Sequence, residues 1–182
     1  MKTIAKTLVA ALFAIARAGA PILAQTITID YDHTVNFLEL RTYTWTRVYA
    51  TDPNVEARIT LAINRSMSGR YMTEVAKSGD VTITAFEATK NKDEITSFYS
   101  QLGDIAWQRP WGSGGFLNAQ AGLEDVPMGT LIIDMYDIKT HKLLWRGTDT
   151  LSASDAASKN ADQKLDKAAT DLIGKFPPKY KK

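Results

Sequence analysis

Gly129-Thr130-Leu131-Ile132-Ile133-Asp134-Met135-Tyr136-Asp137-Ile138-Lys139-Thr140-His141-Lys142-Leu143-Leu144-Trp145-Arg146-Gly147-Thr148 decides the fold. Leu131, Ile133 and Met135 alternate with Ile132, Asp134 and Tyr136, the two-residue period of a strand. After a polar link over 137–142, Leu143 and Trp145 alternate with Leu144 and Arg146. A link of that length suits a four- or five-residue hairpin loop. The stretch therefore reads as a β-hairpin, and it carries no catalytic signature. Within it, cross-strand pairing of Asp134 with Arg146 is expected as a structural contact.

Outward from the hairpin, the chain alternates between strands and helices. Residues 25–31 alternate Ile27 and Ile29 with Thr26, Thr28 and Asp30, and residues 42–46 (Thr-Tyr-Thr-Trp-Thr) alternate again. Asp52-Pro53-Asn54 opens a helix, because an Asp side chain caps free amides and Pro fits the first turn. Val55, Ile59, Ala62, Ile63 and Met67 form its apolar stripe, and with Gly69 as the expected stop it ends near Ser68, continuation over 70–77 being the alternative. Val81-Thr82-Ile83-Thr84-Ala85-Phe86 is a further strand. Residues 161–173 form a second amphipathic helix, with Leu165, Ala168, Ala169, Leu172 and Ile173 on its buried side; Phe176-Pro177-Pro178 ends it. Residues 89–127 break the pattern. They are polar at first, then hold Trp107-Gln108-Arg109-Pro110-Trp111-Gly112-Ser113-Gly114-Gly115-Phe116, and read as a long insertion.

The order β–β–α–β–loop–β–β–α predicts an α+β domain. Its sheet is mostly antiparallel (mixed), of about five strands, with both helices packed on one face and the hairpin in the middle.

The first 24 of the 182 residues have the layout of a secretory signal peptide: Lys2 and Lys6, an apolar run over 7–16, then small residues ending Ile22-Leu23-Ala24. Cleavage is expected after Ala24; Ala20 is the alternative, though it would leave Pro21 directly after the cut. A mitochondrial presequence or a buried N-terminal helix is the competing reading. Residues 25–182 then form one domain. Of the 22 basic residues, Lys2, Lys6 and Arg17 lie in the leader, and none of the 20 acidic ones does, so the remainder balances 19 against 20. That near-neutral balance offers no attraction for nucleic acid. The chain has no cysteine, which excludes disulfides, thiolate catalysis, Cys-bound zinc and iron–sulfur clusters. Beyond the leader no apolar stretch reaches membrane-spanning length. The periplasm is the expected location.

Ile29-Asp30-Tyr31-Asp32 with Phe37, Thr42-Tyr43-Thr44-Trp45, the Gly69…Asp80-Val81 step, Gly129-Thr130-Leu131 with Asp134 and Asp137, Leu144-Trp145-Arg146-Gly147 and Phe176-Pro177-Pro178 occur in a telling order. Together they resemble the bacterial envelope "domain of unknown function" family numbered four-one-three-six. The resemblance covers most of residues 25–182. It implies an exported location, with outer-membrane association as an option, and an α+β fold, and it supplies no reaction. Relatives of that family are often lipoproteins with a Cys just after the signal; this chain has none.

Two candidate sites remain. Asp30, Asp32 and His33 could form an acid/base corner of a small hydrolase or an oxygen-rich cation site; the competing reading is a strand-end turn whose Asp side chains bond nearby amides. Trp107, Arg109, Trp111 and Phe116 combine the aromatics and arginine that interfaces favour and that stack on sugar rings; the competing reading is a loop that buries its own rings. Asp134 and Asp137 point to opposite faces and do not suit paired-carboxylate hydrolysis. His141 sits in the hairpin turn, where tolerance of positive φ is useful. No cofactor or metal site is expected. The favoured function is a non-enzymatic binding module of the cell envelope, with an envelope protein or glycan as partner.

Overall fold

A computed structural model of the chain describes residues 26–88, 92–100, 102, 129–150 and 160–176. Six strands form one mixed sheet: β1 (Thr26–Tyr31), β2 (Thr42–Tyr49), β3 (Thr73–Glu74), β4 (Val81–Glu87), β5 (Thr130–Asp137) and β6 (Leu143–Thr150). Their spatial order is β1-β6-β5-β4-β2-β3. The pairs β1–β6, β6–β5 and β5–β4 are antiparallel; β4–β2 and β2–β3 are parallel. The hairpin occupies the interior of the sheet, as its apolar character demands. The parallel step between β2 and β4 needs a long crossover, and helix α1 (Pro53–Ser68) lies within it.

α1 begins as the sequence dictates. Asp52 accepts from the Asn54 amide at 2.8 Å and Pro53 occupies the first turn. Its end also falls where expected, at Ser68 with Gly69 as the C-cap, and only the conformation of the cap differs. Gly69 has ordinary helical dihedrals, and the left-handed residue is Tyr71, at φ 60°. The amide of Met72 donates to the Met67 carbonyl and that of Tyr71 to Ser68, so the closing left-handed turn falls two residues later than Gly69. The expected second helix is α3, Ala161–Gly174.

α1 and α3 pack on one face, as expected. Ile59, Ile63 and Met67 of α1 and Ala168, Leu172 and Ile173 of α3 are buried there against Ile83, Leu131, Ile133, Met135 and Trp145. Phe176 closes this core edge-on to Phe37 and Trp145, with ring centroids 5.5 and 5.8 Å away. Gly147 has a packing reason. A Cβ there would lie 2.4 Å from Trp145 Cη2, so the indole can lie over the strand only because residue 147 has no side chain.

The opposite face corrects the reading of residues 89–127 as a loop with little regular structure. Helix α2, Lys92–Ser100, covers it. Ile95, Phe98, Tyr99 and Leu102 recur at helical spacing and bury against Phe86, Ala88 and Ile132. With both faces covered, β4 and β5 are buried along nearly their whole length. The remaining differences are the two-residue strand β3 and the resulting count of six strands.

Candidate functional site

Two groupings of polar side chains stand out. The first is the end of the sheet where β1 and β5 finish and β2, β4 and β6 begin, since Tyr31 pairs with Trp145, Val81 with Asp137 and Tyr43 with Val81. An open cleft of about 660 Å³ lies here, lined by Glu39, Leu40, Asp80, Asp137, Ile138 and Lys139 among others. The Asp30–His33 corner is at the same end.

Each carboxylate at this rim has a defined bonding role. Asp137 accepts from the amides of Lys139 and Thr140 at 2.9 and 2.7 Å and from the Thr140 hydroxyl at 2.9 Å. These bonds fold the hairpin loop, and His141 takes the left-handed conformation at φ 56°. Asp80 accepts from the Arg41 and Thr42 amides, both at 2.8 Å, and ties the start of β2 to the start of β4. The neighbouring Gly79 is needed for this approach, because a Cβ would stand 2.7 Å from the Tyr43 backbone.

Asp32 accepts from the Thr34 amide at 2.8 Å and its hydroxyl at 2.6 Å through one oxygen, and from Lys142 Nζ at 2.8 Å through the other. Asp30 Oδ1 accepts from the Tyr31 amide at 3.0 Å. The His33 ring packs on Tyr31, centroids 4.3 Å apart. The corner therefore has the bonding of a strand-end turn.

The electrostatics agree. Partial burial alone would raise the Asp32 pKa; the bonds from Lys142 and Thr34 outweigh it and hold the carboxyl below its ordinary value. Asp80 is lowered chiefly by the Arg41 amide, against some desolvation. In Asp137, too, burial is outweighed by the Thr140 and Lys139 bonds. All three are stabilised anions, shifted away from the near-neutral values that suit proton transfer. Among the described residues, no group of three His, Asp or Glu side chains is placed to hold a metal ion.

The second grouping is buried between the sheet and α2. Asp134 Oδ1 accepts from Arg146 Nε and Oδ2 from Arg146 Nη2, both at 2.6 Å. Oδ2 also accepts from the hydroxyls of Tyr99 and Tyr136 at 2.9 and 3.0 Å. Arg146 Nη2 donates in turn to the Tyr99 hydroxyl at 3.2 Å. The cross-hairpin pair is the one the sequence led us to expect, and the register places Asp134 directly opposite Arg146. Burial drives both phenol pKa values well up, and the Asp134 charge adds to the rise. For Arg146, burial opposes the charge but Asp134 outweighs it, raising the pKa and keeping the guanidinium protonated. The bidentate geometry and the two phenols satisfy both carboxylate oxygens, so the arrangement fixes α2 on the sheet and offers no open face to a substrate. Tyr99 and Tyr136 are absent from the sequence-based candidates. For Tyr99 the available signal is the helical spacing of Ile95, Phe98, Tyr99 and Leu102.

Trp107, Arg109, Trp111 and Phe116 lie outside the described residues, as do residues 1–25.

The family described as "Domain of unknown function (DUF4136)" matches residues 27–178. The chain belongs to this family. The match spans every described strand and helix of the DUF4136 domain except the first residue of β1. No curated protein matches the chain. Among experimental structures, a PDZ domain protein from Parabacteroides distasonis is similar at 18% identity and a TM-score of 0.48, over 86% of this chain and 37% of that one. The chain thus spans little more than a third of that protein's length. The PelC dodecamer from Paraburkholderia phytofirmans is similar at 12% identity and a TM-score of 0.45, over 83% of this chain and 93% of that one. Among the described residues, no helix is long and apolar enough to cross a membrane.

Proposed function

We propose that this DUF4136 protein is an exported component of the cell envelope that acts by binding, not by catalysis. Residues 1–24 serve as its signal peptide, residues 25–182 form the working domain, and the periplasm is its location. The observation that carries the reading is the bonding of the Asp30–His33 corner. Both oxygens of Asp32 are engaged, by Thr34 and by Lys142, and the carboxyl is held below its ordinary pKa. A hydrolytic acid or base needs the reverse: a free oxygen aimed at substrate and a pKa moved toward neutrality.

A second observation favours binding. Tyr71 is 85% exposed while its backbone sits at φ 60°, a conformation that is strained for a bulky residue. An exposed aromatic held at a cost in stability is the kind of side chain that a partner uses. The contact residues in this reading are Trp107, Arg109, Trp111 and Phe116, and the partner is an envelope protein or glycan.

The test is a crosslinking pull-down from the native envelope fraction, with wild type beside the Trp107→Ala/Trp111→Ala double variant. One specific partner is expected for wild type and its loss in the variant, with thermal unfolding nearly unchanged. A collapse of stability would instead place those rings in the core and defeat the reading. For the hydrolase alternative, Asp32→Asn would have to abolish a measurable turnover in a protein that remains folded.

A further inference from the structure

Among the described residues the sheet has two edges, and they are built differently. On one side β3 is only two residues long, Thr73 and Glu74, and covers only Thr42 and Tyr43 of β2; beyond it β2 is the edge among the described residues, broken by a register shift between Trp45 and Arg47. Short, bulged and charged edges resist pairing with other chains. On the other side β1 runs for six residues, Thr-Ile-Thr-Ile-Asp-Tyr, with neither Pro nor Lys and with an unbroken register against β6. Thr26, Thr28 and Asp30 are exposed along it.

The ladder fixes which backbone groups face outward. The Asp32 amide donates to the Leu144 carbonyl at 2.9 Å, toward β6. Alternation in an antiparallel pair then turns the groups of Thr26, Thr28 and Asp30 inward and those of Ile27, Ile29 and Tyr31 outward. The Tyr31 amide is already taken by the Asp30 carboxylate at 3.0 Å, which closes the outward row at its end. Among the described residues, the N–H and C=O groups of Ile27 and Ile29 remain as a compact set of two donors and two acceptors.

We propose that this edge pairs with the same edge of a second copy, antiparallel, with Thr28 opposite the partner's Thr28 on a twofold axis. In that register Ile27 and the partner's Ile29 exchange two backbone hydrogen bonds, and Ile29 and the partner's Ile27 exchange two more. Every outward group of the set is used. Thr28 and its mate form the close, non-hydrogen-bonded pair on the axis, a favourable Thr–Thr contact. Thr26 stands directly opposite the partner's Asp30. Ile27 and the partner's Ile29 lie side by side on the face that carries α1 and α3.

Neighbouring registers are worse. A one-residue slip puts inward-facing groups opposite outward ones. A two-residue slip toward the strand's end makes Tyr31 a donor although its amide is occupied. A four-residue slip sets Asp30 against the partner's Asp30. In the proposed register those two carboxylates stand four residues apart along the strand, roughly 14 Å, beyond the screening length at physiological salt. The strand is complementary to itself, which is why the occupant is a second copy, joining two sheets into one of twelve strands.

The absence of cysteine from the chain makes a direct test possible. Thr28→Cys places one thiol on the axis, where the facing Cα atoms are about 4.5 Å apart and within disulfide range. Mild oxidation of the full, folded protein should convert this variant to a covalent dimer. Asp30→Cys, whose mate is far away in this register, should remain monomeric. Sedimentation equilibrium should give a dimer for wild type, a shift toward monomer for Thr28→Asp, which sets two carboxylates face to face, and a tighter dimer for Thr26→Lys, which sets an ammonium opposite the partner's Asp30. Opposite shifts from two exposed positions cannot come from misfolding. A monomeric wild type, equal crosslinking of Thr28→Cys and Asp30→Cys, or crosslinking of Thr28→Cys to a different protein would each overturn the proposal.

Discussion

Two ion pairs in this molecule use the same chemistry in different surroundings. Asp134 and Arg146 meet beneath α2 with side chains 1% and 10% exposed. Asp32 and Lys142 meet at the rim, 9% and 43% exposed. Both carboxylates are fully bonded, one pair joining β5 to β6 and the other joining the turn after β1 to the hairpin loop. The difference is what becomes of the partner left behind when one charge is removed. At the rim, water replaces the missing cation. Under α2 it cannot, and a lone carboxylate stays in a medium where charge is costly. A bonded charge pair is thus a weak statement about stability at the rim and a strong statement about dependence in the interior.

The largest effect that would break this comparison concerns Arg146. Arg146→Met strands Asp134 and should destabilise the fold by about 3–5 kcal/mol, read from urea unfolding. Combining it with Asp134→Leu should recover only part of that loss: the stranded charge is gone, but the buried Tyr99 and Tyr136 hydroxyls lose their acceptor. If the double variant is as unstable as the single one, the quartet is stabilising in its own right and the interior pair is more than a satisfied obligation.

Tyr99→Phe tests the same site more gently. It removes the hydroxyl that donates to Asp134 and accepts from Arg146, while keeping the ring that packs on Phe98 at 5.1 Å. The expected cost is about 1.5–3 kcal/mol, because the bond is to a charged acceptor. No change at all would mean that α2 is held by its apolar side alone.

Much of this contrast is legible in the sequence, and the part that is not has a physical reason. Alternation in β5 and β6, the Asp52 cap and the apolar stripes of α1 and α3 are local patterns, and each occurs where those patterns place it. The Asp134–Arg146 contact follows from hairpin register alone. Tyr136 shares the face of Asp134 by the same alternation, but Tyr99 reaches Asp134 only once α2 lies on the sheet. Reading residues 89–127 as one block lets the glycines and tryptophans of its second half mask nine helical residues in its first half. The Asp93-Glu94 start and the spacing from Ile95 to Leu102 are the clues there. The parallel pairing of β2 with β4 leaves no local trace, because it depends on where the α1 crossover returns. At the corner, Asp30 and Asp32 are compatible with chemistry or with a turn until Lys142, 110 residues away, is seen to complete the bonding. Tyr71 is the converse case: the helix stops at Ser68 with Gly69 as its cap, as residue type predicts, yet the left-handed position falls on a residue that sequence rules would not choose.

The rim responds to acid in a direction its bonding fixes. Asp32, Asp80 and Asp137 titrate below their ordinary values when folded. Their contribution is complete above the unfolded carboxylate pKa of about 4 and is lost as the pH falls through the lower folded values. Unfolding midpoints should therefore be level from neutral pH down to about 4 and fall beneath it. Asp137→Asn should flatten part of that fall, since one depressed group no longer titrates. A fall that begins near pH 6 would point to histidine and defeat this assignment.

The smallest effect is the sharpest test of the comparison. Lys142→Met removes the cation from Asp32, as Arg146→Met does from Asp134, but it should cost only about 0–1 kcal/mol. Asp32 keeps the Thr34 amide and hydroxyl, and the space vacated by the ammonium opens to water. The acid response separates this outcome from a trivial one. Without Lys142 the Asp32 pKa should move back up toward its ordinary value, shrinking its share of the loss below pH 4, while the Asp80 and Asp137 shares persist. A cost of several kcal/mol would mean that the rim is as closed to water as the interior, and the distinction between the two pairs would fail.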